Sequence, residues 1–334
     1  MSSSVLILTQ PHYTPYQQRL LNMMLDPKRT PVDRARAGRD INQLGDPRPG
    51  VLDFNFKMGS YWCSVPPGEY SLGSDDEKDD NPKHTAKLNA FYIAKYPITH
   101  AQFQTFINAK DGFSNVGWWQ DMPANELARP PYDTADQRWK IANHPCEPVS
   151  WYEAVAFSRW LSEKLGYEVR LPTDDEWEAA ARGTDEREYP WGNDYQIGYA
   201  NGDERDSRER VGPNYLQRTT AVGIYPQHGS PYGALDLIGN IWEWTLTEVD
   251  VYRKLREVAL SEFDNGNMGD ISRDDINRIF CRIARSVRGG SWGLFDRHDL
   301  AHAASRTYFF GLHYTFRSYR NADLGFRLVS MMPL

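Results

Sequence analysis

The chain has 334 residues, a formal net charge of −7, 40% hydrophobic residues and 25% charged residues. Such a length buries a large core without staples, and the composition is that of a soluble globular protein. The acidic balance excludes generic binding to a nucleic-acid backbone, which needs a basic face.

Residues 1–50 read as a small helical extension. Helix-compatible spacing runs from Gln17 to Leu25 and from Val32 to Leu44, with Pro31 placed as a first-turn proline. The short apolar patch Val5-Leu6-Ile7-Leu8 has no basic flank and is too short for a signal peptide. Asp46-Pro-Arg-Pro-Gly50 then breaks the chain, and a body of short strands, Gly/Pro turns and capped helices begins at Val51. Strands are expected at 90–93, 168–171 and 326–329. A helix is expected from His100 to Ala109 behind Thr99. Ser150 with Glu153 and Thr173 with Glu176 are capping boxes, opening helices that stop at Gly166 and Gly183. Residues 250–286 look like an inserted helical pair. Its connection, 264–275, lacks the side-chain oxygens and the final Glu of a calcium-binding loop, so a polar linker is the expectation.

Cys63, Cys146 and Cys281 share no close spacing, which indicates neither a disulfide framework nor a zinc ribbon. A reducing compartment, the cytoplasm, is expected, and no stretch approaches transmembrane length.

Residues 293–325 differ from everything around them. These 33 residues contain no Lys, Glu, Gln, Met or Trp, although those types supply 57 of the 334 residues and about six would fall here by proportion. Seven aromatics and three of the eight histidines, His298, His302 and His313, stand there instead. The codons of all five missing types end in a purine. Two readings stay open: a Gly/Arg-rich loop of chance composition, and a surface diversified at the codon level for binding.

Eight segments occur in a specific order. They are Gly68-Glu-Tyr-Ser-Leu-Gly73, Phe91-Tyr-Ile-Ala-Lys-Tyr-Pro-Ile-Thr99, Pro148-Val-Ser-Trp-Tyr-Glu-Ala-Val155 and Arg170-Leu-Pro-Thr-Asp-Asp-Glu-Trp-Glu178. Then follow Tyr189-Pro-Trp-Gly192, Gly233-Ala-Leu-Asp-Leu-Ile-Gly-Asn-Ile-Trp-Glu-Trp244, Arg288-Gly-Gly-Ser-Trp292 and Leu324-Gly-Phe-Arg327. The series resembles the formylglycine-generating-enzyme (sulfatase-modifying factor) family over roughly residues 52–330. The resemblance implies an α+β, C-type-lectin-like fold: a small twisted antiparallel sheet, two main helices and extensive irregular loops. It divides the chain into the extension at 1–50 and one large domain at 51–334.

Fold does not settle function. Oxidase members of the family carry a copper-binding cysteine pair beyond the Gly-Gly-Ser motif, where this chain has no cysteine. A thiolate pair suits a cuprous ion; without it, neither copper nor iron is expected. The sulfoxide-synthase branch carries iron on histidines of a helical bundle, for which residues 1–50, with His12 alone, are too small. Variable proteins of diversity-generating retroelements resemble the chain best. They place their hypervariable segment between the Gly-Gly-Ser-Trp and Gly-Phe-Arg motifs and mutate adenines of Asn-type codons. The resemblance therefore implies a non-enzymatic, receptor-like binding protein whose partner is another protein. Its candidate contacts are Leu294, Phe295, His298, His302, Tyr308, Phe309, Phe310, Leu312, His313, Tyr314, Phe316 and Tyr319. Aromatic rings supply contact area and short polar side chains supply adaptable hydrogen bonds, as in antibody paratopes. The alternative is a metal-dependent oxygenase using His298, His302 and His313.

The resemblance also implies structural calcium. Carried over by motif, Asp236, Gly239, Ile241 and Glu243 surround one ion, and Asn201 and Gly202 with Asn214 and Leu216 form a second site. Carboxylates, amide oxygens and carbonyls suit a hard cation. A purely ion-paired role for Asp236 and Glu243 is the competing reading. Trp242, Trp244 and Trp292 are expected in the core.

Overall fold

The computed structural model describes residues 13–56, 59–75, 81–122, 138–204, 214–250, 260–262, 264–265, 272, 283–293, 303–307 and 323–332. Five helices have both ends among the described residues. They are α1 (Pro15–Leu25), α2 (Pro31–Gln43), α3 (His100–Asn108), α4 (Trp151–Leu165) and α5 (Asp174–Arg182). Each starts at a Thr or Ser whose hydroxyl accepts an orphan N–H, from Thr14, Thr30, Thr99, Ser150 and Thr173 in turn. The helices end where left-handed or non-helical backbone is required, as at Gly166 (φ 75°) and Gly183 (φ 72°). None is long and apolar enough to cross a membrane among the described residues.

Nine short strands form three small sheets. β1 (Trp62–Val65), β4 (Phe91–Ala94) and β9 (Val329–Ser330) make an antiparallel three-stranded sheet. β2 (Gly68–Leu72) and β3 (His84–Leu88) form a hairpin. A four-stranded sheet runs in the order β7 (Arg306–Thr307), β6 (Ile283–Arg288), β5 (Trp242–Asp250), β8 (Leu324–Gly325). This is the α+β, C-type-lectin-like architecture.

Several boundaries differ from the sequence reading. Residues 168–171 form no strand; a single bridge joins Arg170 to Val329. The expected strand at 326–329 is interrupted, because Phe326 and Leu328 point their carbonyls to Ile98 and Ala94 between β8 and β9. β5 reaches Asp250 and β6 begins at Ile283, so both ends of the expected insertion at 250–286 are strand. Most of its interior lies outside the described residues.

The main core is aromatic. Phe157 of α4 meets Phe103 and Phe106 of α3 and Phe326 at centroid distances of 5.6, 5.7 and 5.4 Å, in tilted or edge contacts that aromatic quadrupoles favour. A second cluster around Trp177 of α5 packs against β2, β3 and β4. The helical extension packs on the body through Leu20, Leu21, Met24, Ile41, Ala221 and Ile224. Polar bolts reinforce it: Arg34 donates to the Ile224 carbonyl (3.0 Å), and the buried Asp46–Arg48 pair (2.7 Å) is tied to Val222 and Asn143.

Candidate functional site

The 293–325 segment begins and ends on the two flanks of one strand. β6 pairs antiparallel with β5, setting Arg288 opposite Glu243, and β8 pairs parallel with β5, setting Leu324 beside Trp242. Between β6 and the segment, Gly289 (φ 94°) and Gly290 (φ 72°) turn the chain. A Cβ at Gly289 would stand 2.7 Å from the Leu237 carbonyl, which explains the Gly-Gly pair sterically.

Two buried ionic clusters hold this frame. In the first, Arg327 donates to both oxygens of Glu243 (2.6 and 2.7 Å) and the Trp177 indole N–H donates to the same carboxylate (2.7 Å). The guanidinium also reaches the carbonyls of Ala94, Leu235 and Asp236. The Trp-Glu-Trp and Gly-Phe-Arg motifs are thus two halves of one ion pair.

The second cluster fixes the middle of the segment. Arg288, fully buried, is held bidentately by Asp174 (3.1 and 2.9 Å) and lies 3.2 Å from Glu178. Its free edge donates to the carbonyls of Ala303, Ala304 and Ser305. Asn81 adds a bond to Ala304 (3.0 Å), and the Ala303 N–H reaches the Glu188 carbonyl (2.7 Å). With β7 paired to β6, residues 303–307 form a clasp inside the segment, and Ala303, Ala304 and Ser305 are buried. It leaves stretches of nine residues (294–302) and fifteen residues (308–322) on either side.

A third group lies where the segment leaves and rejoins the body. Ser291 donates to Asp323 (2.6 Å), closing the two ends on each other. Trp292 packs edge to face with Trp139 (6.3 Å), and the Trp139 backbone N–H donates to Glu147 (3.2 Å). Burial pushes the Glu147 carboxyl up to about 7 and raises that of Asp323. A carboxyl raised in the folded state is destabilising wherever it must ionise. The contribution of Glu147 to stability is therefore greatest below about pH 4.5 and is lost as pH rises from there to about 7, by at most about 3 kcal/mol. Glu147→Gln is expected to flatten that slope in urea denaturation between pH 5 and 8; an unchanged slope would assign it to other groups.

The twelve expected contact positions from Leu294 to Tyr319, including His298, His302 and His313, lie outside the described residues, as does Cys281. Cys63 and Cys146 are buried, and burial drives both thiols up, Cys63 to about 11, so neither is a ready thiolate. Trp242, Trp244 and Trp292 are core residues, at 2%, 2% and 8% exposure.

The calcium sets fare differently. Glu243 already has its charge matched by Arg327, and a cation there would face a guanidinium; the Asp236–Glu243 set does not fit calcium. Asp236, in left-handed backbone (φ 55°), accepts the Gly223 N–H (2.6 Å) and lends its carbonyl to Arg327. Gly239 instead bridges to Asn201, so the structure joins the two expected sets at one point. There Asn201 is buried and uses its amide N–H on Arg218 and Asn240, while its side-chain oxygen has no partner. The neighbouring Thr220 hydroxyl, hydrogen-bonded to nothing, is a second buried oxygen. That donor chemistry fits a hard cation. Asn214 donates to Glu204 (3.4 Å), and Leu216 packs towards the helical extension. No group of three or more His, Cys, Asp or Glu side chains is placed to hold a metal among the described residues.

Sequence reasoning missed Asn81, Asp174 and Glu178 as anchors of the segment, and Trp139, Glu147 and Asp323 at its root. Asp174 reads in sequence as a first-turn helix acid, and nothing local marks it as the partner of Arg288, 114 residues on.

The family described as "Sulfatase-modifying factor enzyme 1-like domain" matches residues 55–332. The chain belongs to this family. It is 31% identical over 227 residues to the formylglycine-generating enzyme of Mycobacterium tuberculosis, covering 55% of this chain and 73% of that protein. It is 28% identical to the hercynine oxygenase of the same organism, over 65% of this chain but only 48% of that protein. Among solved structures it is similar to Treponema denticola variable protein 1, with a TM-score of 0.53, 22% identity, and coverage of 83% of this chain and 98% of that one. At that identity the likeness establishes the fold.

Proposed function

We propose that this family member is a non-enzymatic binding protein that presents a diversified surface on residues 294–302 and 308–322, and that its ligand is another protein. The observation that carries the reading is the composition of 293–325. A run free of Lys, Glu, Gln, Met and Trp is bounded at both ends by strands of one sheet and pinned at its centre by a buried arginine. Such a frame keeps the scaffold constant while residues 294–302 and 308–322 change. No cysteine occurs after Cys281, so the segment itself supplies no thiol chemistry. The deciding experiment compares the coding DNA with a near-identical template copy. Differences confined to template adenines, and sparing the codons of 303–305, are expected; no such copy, or scattered differences, overturns the reading.

The similarity to a formylglycine-generating enzyme and a hercynine oxygenase supports a second reading, a metal-dependent oxygenase on His298, His302 and His313. Stoichiometric iron or copper that disappears in a His298→Ala/His302→Ala variant would favour it. Calcium alone would favour the binding protein.

Calcium is proposed at Asn201, for its orphaned buried oxygen. An ion bound only by the folded state stabilises by mass action. Chelator should therefore lower the melting temperature of the wild type, whereas Asn201→Ala should melt at one temperature with or without it. Coincident wild-type curves together with calcium-free elemental analysis would sink the site.

A further inference from the structure

The geometry points to a site at the root of the diversified segment, formed by Trp139, Trp292 and Asp323, that takes a neutral carboxamide group of the ligand. The inference rests on the binding-protein reading and names the chemistry of one contact.

Three buried polar atoms in this small region have no hydrogen-bond partner: the indole Nε1 of Trp139, the indole Nε1 of Trp292 and one carboxyl oxygen of Asp323. Trp292 and Asp323 are themselves only 8% and 5% exposed. Buried polar groups in folded proteins are almost always satisfied, and three orphans on connected residues call for an occupant. The rings of Trp139 and Trp292 meet at 6.3 Å, and Asp323 accepts from Ser291, the residue preceding Trp292. Trp139 is half-buried, which leaves a way in from solvent.

The vacant valences specify the ligand. Two indole N–H groups can only donate, and Asp323 has an oxygen free to accept. A carboxamide matches both: its oxygen has two lone pairs for the indoles, and its N–H reaches Asp323. A bare cation leaves the indole donors empty and meets the guanidinium of Arg138, which lies 5.1 and 5.2 Å from the two ring centres. Arg218 stands over the Trp139 ring as well, at 4.6 Å. A carboxylate accepts from the indoles but has no donor for the open oxygen of Asp323. The amide is neutral and complementary to both kinds of atom. It can come from an Asn or Gln side chain or from the peptide backbone of a protein ligand.

The test follows the two indole N–H resonances by NMR on the whole protein, with acetamide, N-methylacetamide, acetate and methylammonium as probes. Acetamide should shift both resonances saturably, with a dissociation constant in the millimolar range expected of about four heavy atoms. Acetate and methylammonium should not. Trp139→Phe keeps a ring and removes one donor, and should weaken acetamide about tenfold; Trp292→Phe gives a second check should one variant fold poorly. Equal binding of N-methylacetamide identifies a backbone amide as the natural contact, and acetamide alone a side-chain amide. No saturable shift, acetate binding as tightly as acetamide, or unchanged affinity in Trp139→Phe overturns the site. Because the probe is not the ligand, such a failure leaves the reading of the segment intact, and the DNA comparison decides that separately.

Discussion

Arg288→Met should lower the free energy of unfolding by about 3–5 kcal/mol, the usual cost of leaving a buried charge without its partner. Glu178 would keep Arg182 at 2.7 Å, together with the Gly73 N–H and Asn81, so it stays compensated. Asp174 would keep the hydroxyls of Ser286 (2.6 Å) and Thr245 (3.3 Å) and lose the bidentate guanidinium of Arg288. Three carbonyls, 303 to 305, would lose the guanidinium at the same time. The loss should therefore show twice. Urea denaturation reports the global change, and limited proteolysis of the native protein should report faster cutting between 294 and 322, where the clasp no longer holds. Arg288→Lys should restore little, since an ammonium cannot grip Asp174 bidentately and reach three carbonyls together. A loss below about 1 kcal/mol with unchanged proteolysis would mean that the clasp does not depend on Arg288.

What sequence disclosed, and what it hid, follows from the range of the interactions. The helix starts were legible because a cap is a contact over three residues: Ser150 with Glu153 and Thr173 with Glu176 needed nothing beyond their own turn. The Thr14–Gln17 box is just as local and went unread, because the eye follows apolar periodicity and α1 begins with polar residues. Strands were harder. β7, β8 and β9 are two residues each, too short to show alternation, and exist only through partners far away in sequence. Glycines gave a true signal: the Gly289-Gly290 pair marks a turn against Leu237 that no side chain fits. The charged anchors gave a misleading one. Glu243, carried over as a calcium ligand, is the partner of Arg327, and both charges were visible in the sequence while their pairing across 84 residues was not.

The clasp also limits which positions the proposed diversification could use. Ala303, Ala304 and Ser305 are buried, and their backbone, rather than their side chains, makes the anchoring bonds. Small side chains fit because Arg288 and Asn81 approach the carbonyls closely. On the proposed reading, residues 303–305 should therefore stay constant while variation falls on either side of them.

Glu243→Gln should be as damaging as the loss of Arg288, for the converse reason. Glutamine keeps the shape and can still accept the Trp177 indole N–H, yet it leaves the Arg327 guanidinium buried with carbonyls only. The expected cost is again about 3–5 kcal/mol, on the order of 10 °C in melting temperature for a chain of this size. Adding Arg327→Met to the same protein removes the stranded charge and should recover part of the loss, giving a coupling of about 2 kcal/mol or more in a double-mutant cycle. Recovery should stay incomplete, because the carbonyls of Ala94, Leu235 and Asp236 then lose their donor. Chelator decides between the pair and a metal site here. An ion pair predicts the same Glu243→Gln penalty with and without chelator, whereas a calcium ligand predicts a penalty that vanishes once the ion is stripped from the wild type. A penalty that disappears in chelator would restore Glu243 to the coordination of an ion and displace Arg327 from the role assigned to it.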